Sequence, residues 1–445
     1  MISRRDAFGT WLKIGLLSFG GPAGQIALMH KILVEEKNWI SETRFLQALN
    51  YCMLLPGPEA MQLATYCGWL LHRTWGGVVA GLLFILPGLT LIILLSGVYA
   101  AFHDVPAVGA LFFGLKSAVL VLVVEAVIRI GKRSLHSLAL KFVAVTAFIA
   151  IFFLDISFPF LVVATGLIGM LCNDLRPGIF GAPLAKPEKE GRGKSVIDKM
   201  LDDGALEHTK PDRRRTWITI LFWLFLWLGP VIGCMAVLGE GHIFSLIGIF
   251  FSKMAVVTFG GAYAALSFVA QRAVEHYYWL TPDDMLNGLG LAETTPGPLV
   301  LVLQYVGYMA AFGKAVTLHP HVAGVLGAAF SAWVTFAPCF LWIFAGAPYI
   351  EQIRHNETLA ASLSAITAAV TGVILNLAAW FSLHVLFNKV AVSSWHGITT
   401  YEVSGPVLPA AAITLVAAFV TFRLKWGILR TLGLCALLGL AVKLV

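Results

Sequence analysis

Thirteen apolar runs pattern the chain. They lie near residues 8–29, 45–71, 76–100, 106–128, 138–154 and 157–174, and then near 217–238, 244–268, 285–311, 322–345, 360–386, 404–422 and 427–444. A helix needs about 20 apolar residues to cross the hydrocarbon of a bilayer, so these runs predict about 13 transmembrane helices. The second and ninth runs are broken by Pro-Gly-Pro, at Pro56-Gly57-Pro58 and Pro296-Gly297-Pro298. The expected architecture is an all-α polytopic membrane protein. An N-terminal transmembrane repeat covers residues 1–175, a charged cytoplasmic linker 176–216, and a C-terminal repeat 217–445, which begins with an extra helix at 217–238.

Composition supports that reading. The 445 residues are 58% hydrophobic and 12% charged, whereas an average soluble protein is about 45–50% apolar and about 25% charged. The surplus apolar surface has to face lipid. That excludes a cytosolic enzyme, a nucleic-acid binder and a secreted disulfide scaffold. Residues Arg176 to Arg215 hold 10 of the 31 Lys+Arg, so the net charge of +7 reads as positive cytoplasmic loops. With the N-terminus inside, 20 Lys/Arg fall in cytoplasmic segments and six outside: Lys31, Lys37, Arg44, Lys314, Lys389 and Lys443. Ser3-Arg4-Arg5 is read as the positive anchor of an uncleaved first span. The six cysteines are scattered, and the 12 histidines show no ligand spacing. Neither a metal nor a cofactor is therefore expected.

The two halves repeat each other. Lys13–Pro58 written over Lys253–Pro298 matches at 12 of 46 positions, including Phe19-Gly20-Gly21 over Phe259-Gly260-Gly261 and both Pro-Gly-Pro segments. Six spans return the chain to the cytoplasm, and the extra helix then carries it out. The second copy therefore runs opposite to the first, the inverted plan of secondary transporters.

Candidate chemistry collects at the repeated features. Proline removes an amide donor and breaks the helix, so each Pro-Gly-Pro should end one half-helix and start another. A half-helix start inside the membrane points unpaired N–H groups and a positive dipole end at whatever lies there, which suits an anion. The expected binding residues are Pro56, Gly57, Gln62, Pro296, Gly297 and Gln304, together with Gly20, Gly21, Gly260 and Gly261. The hydroxyls of Ser18 and Thr258 are candidate donors. Lys13 and Lys253 are in-span cations that would balance a dianion, with snorkelling as the plainer reading of Lys13. Glu59 and Glu293 are candidate proton-coupling groups. Lys116 is a third in-span lysine, and Glu125 with Arg129 reads as a structural pair.

The paired Ser/Thr-Phe-Gly-Gly segments, Leu54-Leu55-Pro56-Gly57-Pro58-Glu59-Ala60-Met61-Gln62-Leu63-Ala64 and Leu291-Ala292-Glu293-Thr294-Thr295-Pro296-Gly297-Pro298 resemble the ChrA-type chromate transporters of the CHR superfamily, in their long two-domain form. The resemblance implies efflux of chromate from the bacterial cytoplasm across the inner membrane, driven by membrane potential or a proton gradient. Sulfate is the chemically similar alternative, and a homodimer is an open option. The residues alone reach a transporter with a cationic, symmetric midplane site. The other rival is a membrane-embedded enzyme, which would need catalytic groups clustered at one face. The second copy departs from the first in reading Phe-Gly-Gly-Ala for Phe-Gly-Gly-Pro, and the central linker is long.

Overall fold

The computed structural model describes residues 2–175, 179–180, 195–202, 206–259, 261–350, 357–395 and 398–444. The first half contains α1 (Arg4–Leu17), α2 (Gly21–His30), α3 (Glu42–Leu54), α4 (Glu59–Phe102), α5 (Pro106–Ser134), α6 (Leu138–Phe152) and α7 (Phe158–Leu175). The linker carries α8 (Val196–Asp202), and α9 (Arg213–Leu238) follows it. Next come α10 (Ile243–Val257), α11 (Ala262–Gln271), α12 (Pro282–Thr294), α13 (Val302–Gly313) and α14 (Pro320–Gly346). The chain closes with α15 (Glu357–Leu386), a hairpin of β1 (Phe387–Trp395) and β2 (Ile398–Pro406), then α16 (Leu408–Ala418) and α17 (Ile428–Leu444). Five helical stretches are long and apolar enough to cross a membrane, and five shorter apolar helices accompany them among the described residues. On α9 the side chains of Trp217, Leu221 and Phe225 are 64%, 64% and 72% exposed, an apolar stripe that suits a lipid-facing surface. The expectation of an all-α polytopic membrane protein holds, with one antiparallel β-hairpin in addition.

The copies agree element by element. α3 and α12 begin and end 240 residues apart, α5 and α15 end 252 apart, and α7 and α17 begin 270 apart. The last change of register is the β-hairpin, which stands where the first copy has three residues between α5 and α6. Even the left-handed positions repeat: Asn38 and Tyr278 have φ of 48° and 51°, and Asp155 and Lys425 have 47° and 54°.

Two compact units divide the chain, each drawing on both copies. The first comprises Met1–Ile93, Pro183–Ala262 and Thr295–Glu357; the second comprises Leu94–Ala182, Tyr263–Thr294 and Thr358–Val445. This partition differs from the division into sequence repeats.

In the first unit, short helices fold back on themselves. Lys37 meets Asp6 at 2.9 Å, so the chain that enters through α1 returns through α2 to the end where it started. The rings of Tyr51 and Tyr66 meet at 6.2 Å, tilted, on either side of the first Pro-Gly-Pro, so α3 and the start of α4 are likewise two arms of a hairpin. α4 itself is two helices. His72 and Arg73 leave helical geometry, and the backbones of Gly68 and Gly76 touch, which eight residues of continuous helix could not allow. The second copy repeats the device with Gly307 against Gly327. Arms of 13 residues, such as α3, reach about 20 Å against a hydrocarbon core of about 30 Å.

These hairpins correct the expected side of two charges. Runs 8–29 and 45–71 are re-entrant pairs rather than crossings. His72 Nε2 lies 3.0 Å from the Ile2 carbonyl, and Arg44 pairs with Asp198 of the linker at 2.6 Å. Lys37 and Arg44 therefore share the end of the unit that holds the N-terminus and the linker. Linker amides of Val196 and Ile197 donate to the carbonyls of Asn38 and Trp39, and His208 bonds the Trp69 carbonyl at 3.0 Å. α9 leaves from this end. α14 runs back antiparallel to it, with Trp223 stacked on Phe340 at 5.1 Å and Thr216 bonded to Tyr349 at 3.2 Å. α10 packs antiparallel to α9 through Trp227 and Ser252, so it enters from the opposite end.

The second unit is built around α5. Gly114 and Gly439 bring α5 and α17 into backbone contact, and Gly372 does the same for α15 and α6, packing through small residues as membrane helices commonly do. Lys116 pairs with Asp283 at 2.6 Å, which gives that in-span lysine its partner. β2 is fastened to the end of α6 by the Thr399 amide on the Phe153 carbonyl, and the Tyr401 ring meets the Phe152 ring at 4.8 Å.

Candidate functional site

All four interrupted loops contribute to the first unit, and they are bonded crosswise. The Gly297 amide donates to the Ser18 carbonyl, and the Gly57 amide donates to the Thr258 carbonyl, both at 2.7 Å. The partners are related by the same shift of 240 residues, so each Phe-Gly-Gly loop meets the Pro-Gly-Pro loop of the other copy. Two equivalent junctions result.

Local sequence explains the loops. Gly20, Gly21, Gly57, Gly261 and Gly297 all have positive φ, from 70° to 114°, a region that costs other L-residues about 1–2 kcal/mol each. At Gly20 and Gly21 a side chain would meet nothing within 4 Å, so these glycines serve the unwound turn and not close packing. Gly57 is also hemmed in: a methyl group there would sit 3.0 Å from Cys339 Sγ and 3.0 Å from Gln62 Nε2. Gly88 packs its backbone on the Pro296 carbonyl in the same way. Gly88 and Cys339 each follow a proline of the repeat, Pro87 and Pro338, so the loops are buttressed alike.

Each loop is followed by a helix start. α2 begins at Gly21, α4 at Glu59 and α11 at Ala262, while a 3₁₀ turn at Leu299–Leu301 leads into α13. Neither α2 nor the turn at Leu299 has a side-chain cap, so their first amides point out of the helix unbonded by any cap. The uncapped starts of α2 and of the Leu299 turn direct positive dipole ends at the loops, while the Glu59 carboxylate already stands at the start of α4 beside Gly261.

The polar side chains divide by role. Ser18 and Thr258 are buried, but their hydroxyls donate back to Ile14 and Met254 carbonyls at 2.6 and 2.7 Å. What they bring to the junctions is the main-chain carbonyl. Gln62 is fully buried and donates from Nε2 to the Pro56 carbonyl at 2.7 Å. Gln304 is also fully buried; with its amide nitrogen turned to the start of its own helix, it donates to Leu301 and Val300 carbonyls at 3.1 and 3.3 Å. The Glu59 carboxylate lies beside Gly261, where an added methyl would come within 3.4 Å of Oε1. Lys13 and Lys253 stand five residues before Ser18 and Thr258, on exposed faces of α1 and α10. Gly260 lies outside the described residues. Glu293 belongs to the second unit, where it is buried and accepts from the Tyr263 hydroxyl at 2.8 Å. Arg129 and Glu125 are charged groups that act on it.

One junction residue went unread in the sequence. Gln25 is fully buried on α2 and donates to the Gly297 carbonyl at 2.5 Å, with the Ser18 carbonyl at 3.5 Å. Its signal was present: an amide in an otherwise apolar stretch, close after the double glycine. The repeat hid it, because the second copy has Ala265 at that place.

The chain matches the chromate transporter family over residues 5–170 and 245–440. It is 31% identical over 376 residues to the chromate transport protein of Pseudomonas aeruginosa, covering 84% of this chain and 80% of that one. The chromate transport protein of Cupriavidus metallidurans is 27% identical over 369 residues, with 82% and 79% covered. A probable chromate transport protein of Synechococcus elongatus is 26% identical over 419 residues, with 92% of each chain covered. No solved structure matches the chain.

Proposed function

The chain belongs to the chromate transporter family, a family of transporters and not of enzymes, and we propose that it carries chromate out of the bacterial cytoplasm across the inner membrane. The observation that carries this reading is the pair of crossed bonds, Gly297 to Ser18 and Gly57 to Thr258. α1 and α10 enter the first unit from opposite ends, and the loops that follow them are bonded to the two Pro-Gly-Pro loops, with helix starts beside them. An oxyanion held at the junctions would be reached from one side past α1 and from the other past α10. Rocking of the repeat over 1–175 against the repeat over 217–445 would expose the junctions to each side in turn.

Lys13 and Lys253 would draw the anion toward each set of tips, and Glu59 and Glu293 would carry coupling protons. The N-terminus and linker, rich in Lys and Arg, belong on the cytoplasmic side. With Lys37 and Arg44 moved to that side, the charge bias is steeper than the sequence count implied.

Radiolabelled chromate flux in proteoliposomes tests the reading, with pH and voltage gradients imposed separately and sulfate added as competitor. Chromate movement that responds to either gradient is expected. Flux of sulfate with none of chromate would replace the substrate, and no flux under either gradient would remove the transport reading.

A further inference from the structure

Each junction contains one fully buried glutamine whose amide nitrogen is spent on a loop carbonyl. Gln25 holds Gly297, and Gln62 holds Pro56. In both, Oε1 is buried with no hydrogen-bond partner among the described residues. Leaving a buried amide oxygen unpaired is costly, so the same omission at both junctions asks for an explanation in the bound state. The two residues are not repeats of one another. Their counterparts in the second copy are Ala265 and Val302, so the arrangement arises twice from different registers. With nitrogen anchored, neither amide can turn over, and its oxygen stays at the loop as a fixed acceptor.

A fixed acceptor needs a donor. A tetrahedral dianion has only acceptor oxygens and would face Oε1 with like polarity. The singly protonated anion carries one O–H, which can donate to Oε1 while its remaining oxygens accept from the helix-start amides. It is also less costly to strip of water than the dianion.

We propose that the junctions bind the monoprotonated oxyanion, hydrogen chromate, with Gln25 and Gln62 as the residues that select the protonated form. This rests on the transport reading and adds to it that the bound anion brings its own proton. The second ionisation of chromic acid lies near neutrality, so both forms are available to a cell. That of sulfuric acid lies far below, so sulfate offers no such proton.

The test uses the purified full chain and the absorption spectrum of chromate, which differs between the protonated and unprotonated anions. At about pH 8 free chromate is the dianion, and binding of the protonated form then takes up about one proton per chromate by linkage. The expected result is that bound chromate shows the band of the protonated anion, with about one proton consumed and affinity falling about tenfold per pH unit. A Gln25→Met/Gln62→Met double variant should lose the band shift and the pH slope together. Bound chromate that keeps the dianion band overturns the inference and leaves the transport reading standing. So does a double variant that binds with the wild-type shift. Should the variant not fold, the wild-type spectrum decides alone. No chromate binding at any pH overturns the site itself, and this inference with it.

Discussion

In the first copy the chain leaves α1 at Ser18, turns left-handed through Gly20 and Gly21, and turns again at Asn38 before α3. In the second it leaves α10 at Thr258, turns at Gly261, and turns again at Tyr278 before α12. Backbone geometry is shared down to single residues. Most side chains are not. The first copy supplies both junction glutamines and Glu59, where the second has Ala265, Val302 and Leu299. Arg44, which binds the linker, stands opposite Asp284, which accepts the Tyr99 hydroxyl at 2.6 Å in the second unit. What both copies retain is a pair of loops able to bond crosswise. What differs is the chemistry placed around those loops, so the copies are equal as scaffold and unequal as site.

The strongest way to break that comparison is to spoil one scaffold loop at a time. Gly57→Ala and Gly297→Ala each place a side chain at φ of 114° and 96°, which costs about 1–2 kcal/mol before packing is counted. Both should abolish chromate flux in proteoliposomes while leaving protein in the membrane. Gly57→Ala should lower thermal stability more. Its methyl meets Cys339 and Gln62 together at 3.0 Å, whereas at Gly297 only the terminal methyl of Leu301 comes as near. Normal flux from Gly297→Ala would show that only the first copy's loop matters.

A smaller effect is expected from the paired cations. Lys13→Ala and Lys253→Ala should each lower flux about tenfold, equivalent to about 1.4 kcal/mol, with the loss growing at low salt as screening falls. Equal losses would extend the symmetry from backbone to charge. A loss at Lys253 alone would leave Lys13 as a snorkelling anchor. Undiminished flux in both would remove the lysines from the transport path.

The sequence disclosed the loops because glycine and proline are needed for their backbone, and such residues repeat wherever the geometry repeats. It disclosed Ser18 and Thr258 as places but not as roles. A hydroxyl one helical turn from a free carbonyl bonds to it, and only coordinates show that the bond to Ile14 or Met254 has formed. The first run reads as a crossing and the Pro-Gly-Pro run as either spanning or re-entrant, since an apolar run of 22 or 27 residues reads the same whether it continues or turns back. Lys37 against Asp6 and Tyr51 against Tyr66 decide that, and both are contacts across a turn. Gln25 escaped because a search for repeats rewards what the copies share, and the selective chemistry lies where they differ.

The smallest expected effect sharpens the comparison at the linker. Partial burial works against ionisation of Asp198, yet bonds from the Ser195 hydroxyl and amide and from Arg44 hold its carboxyl below the usual range. A carboxyl depressed on folding adds stability above its unfolded pKa and loses that stability as pH falls through the folded value. Arg44→Ala should therefore lower thermal stability by about 1 kcal/mol or less at neutral pH, the usual worth of a partly exposed pair. The difference from wild type should vanish in acid, where Asp198 is protonated in both. Asp284→Ala removes the residue at the matching position of the second copy and leaves Arg44 and Asp198 untouched, so the linker pair should keep its acid-sensitive contribution in that variant. Measuring Arg44→Ala in both backgrounds across pH separates the two anchors. An Arg44→Ala effect that persists undiminished in acid would mean that Arg44 holds the linker by packing and not by charge.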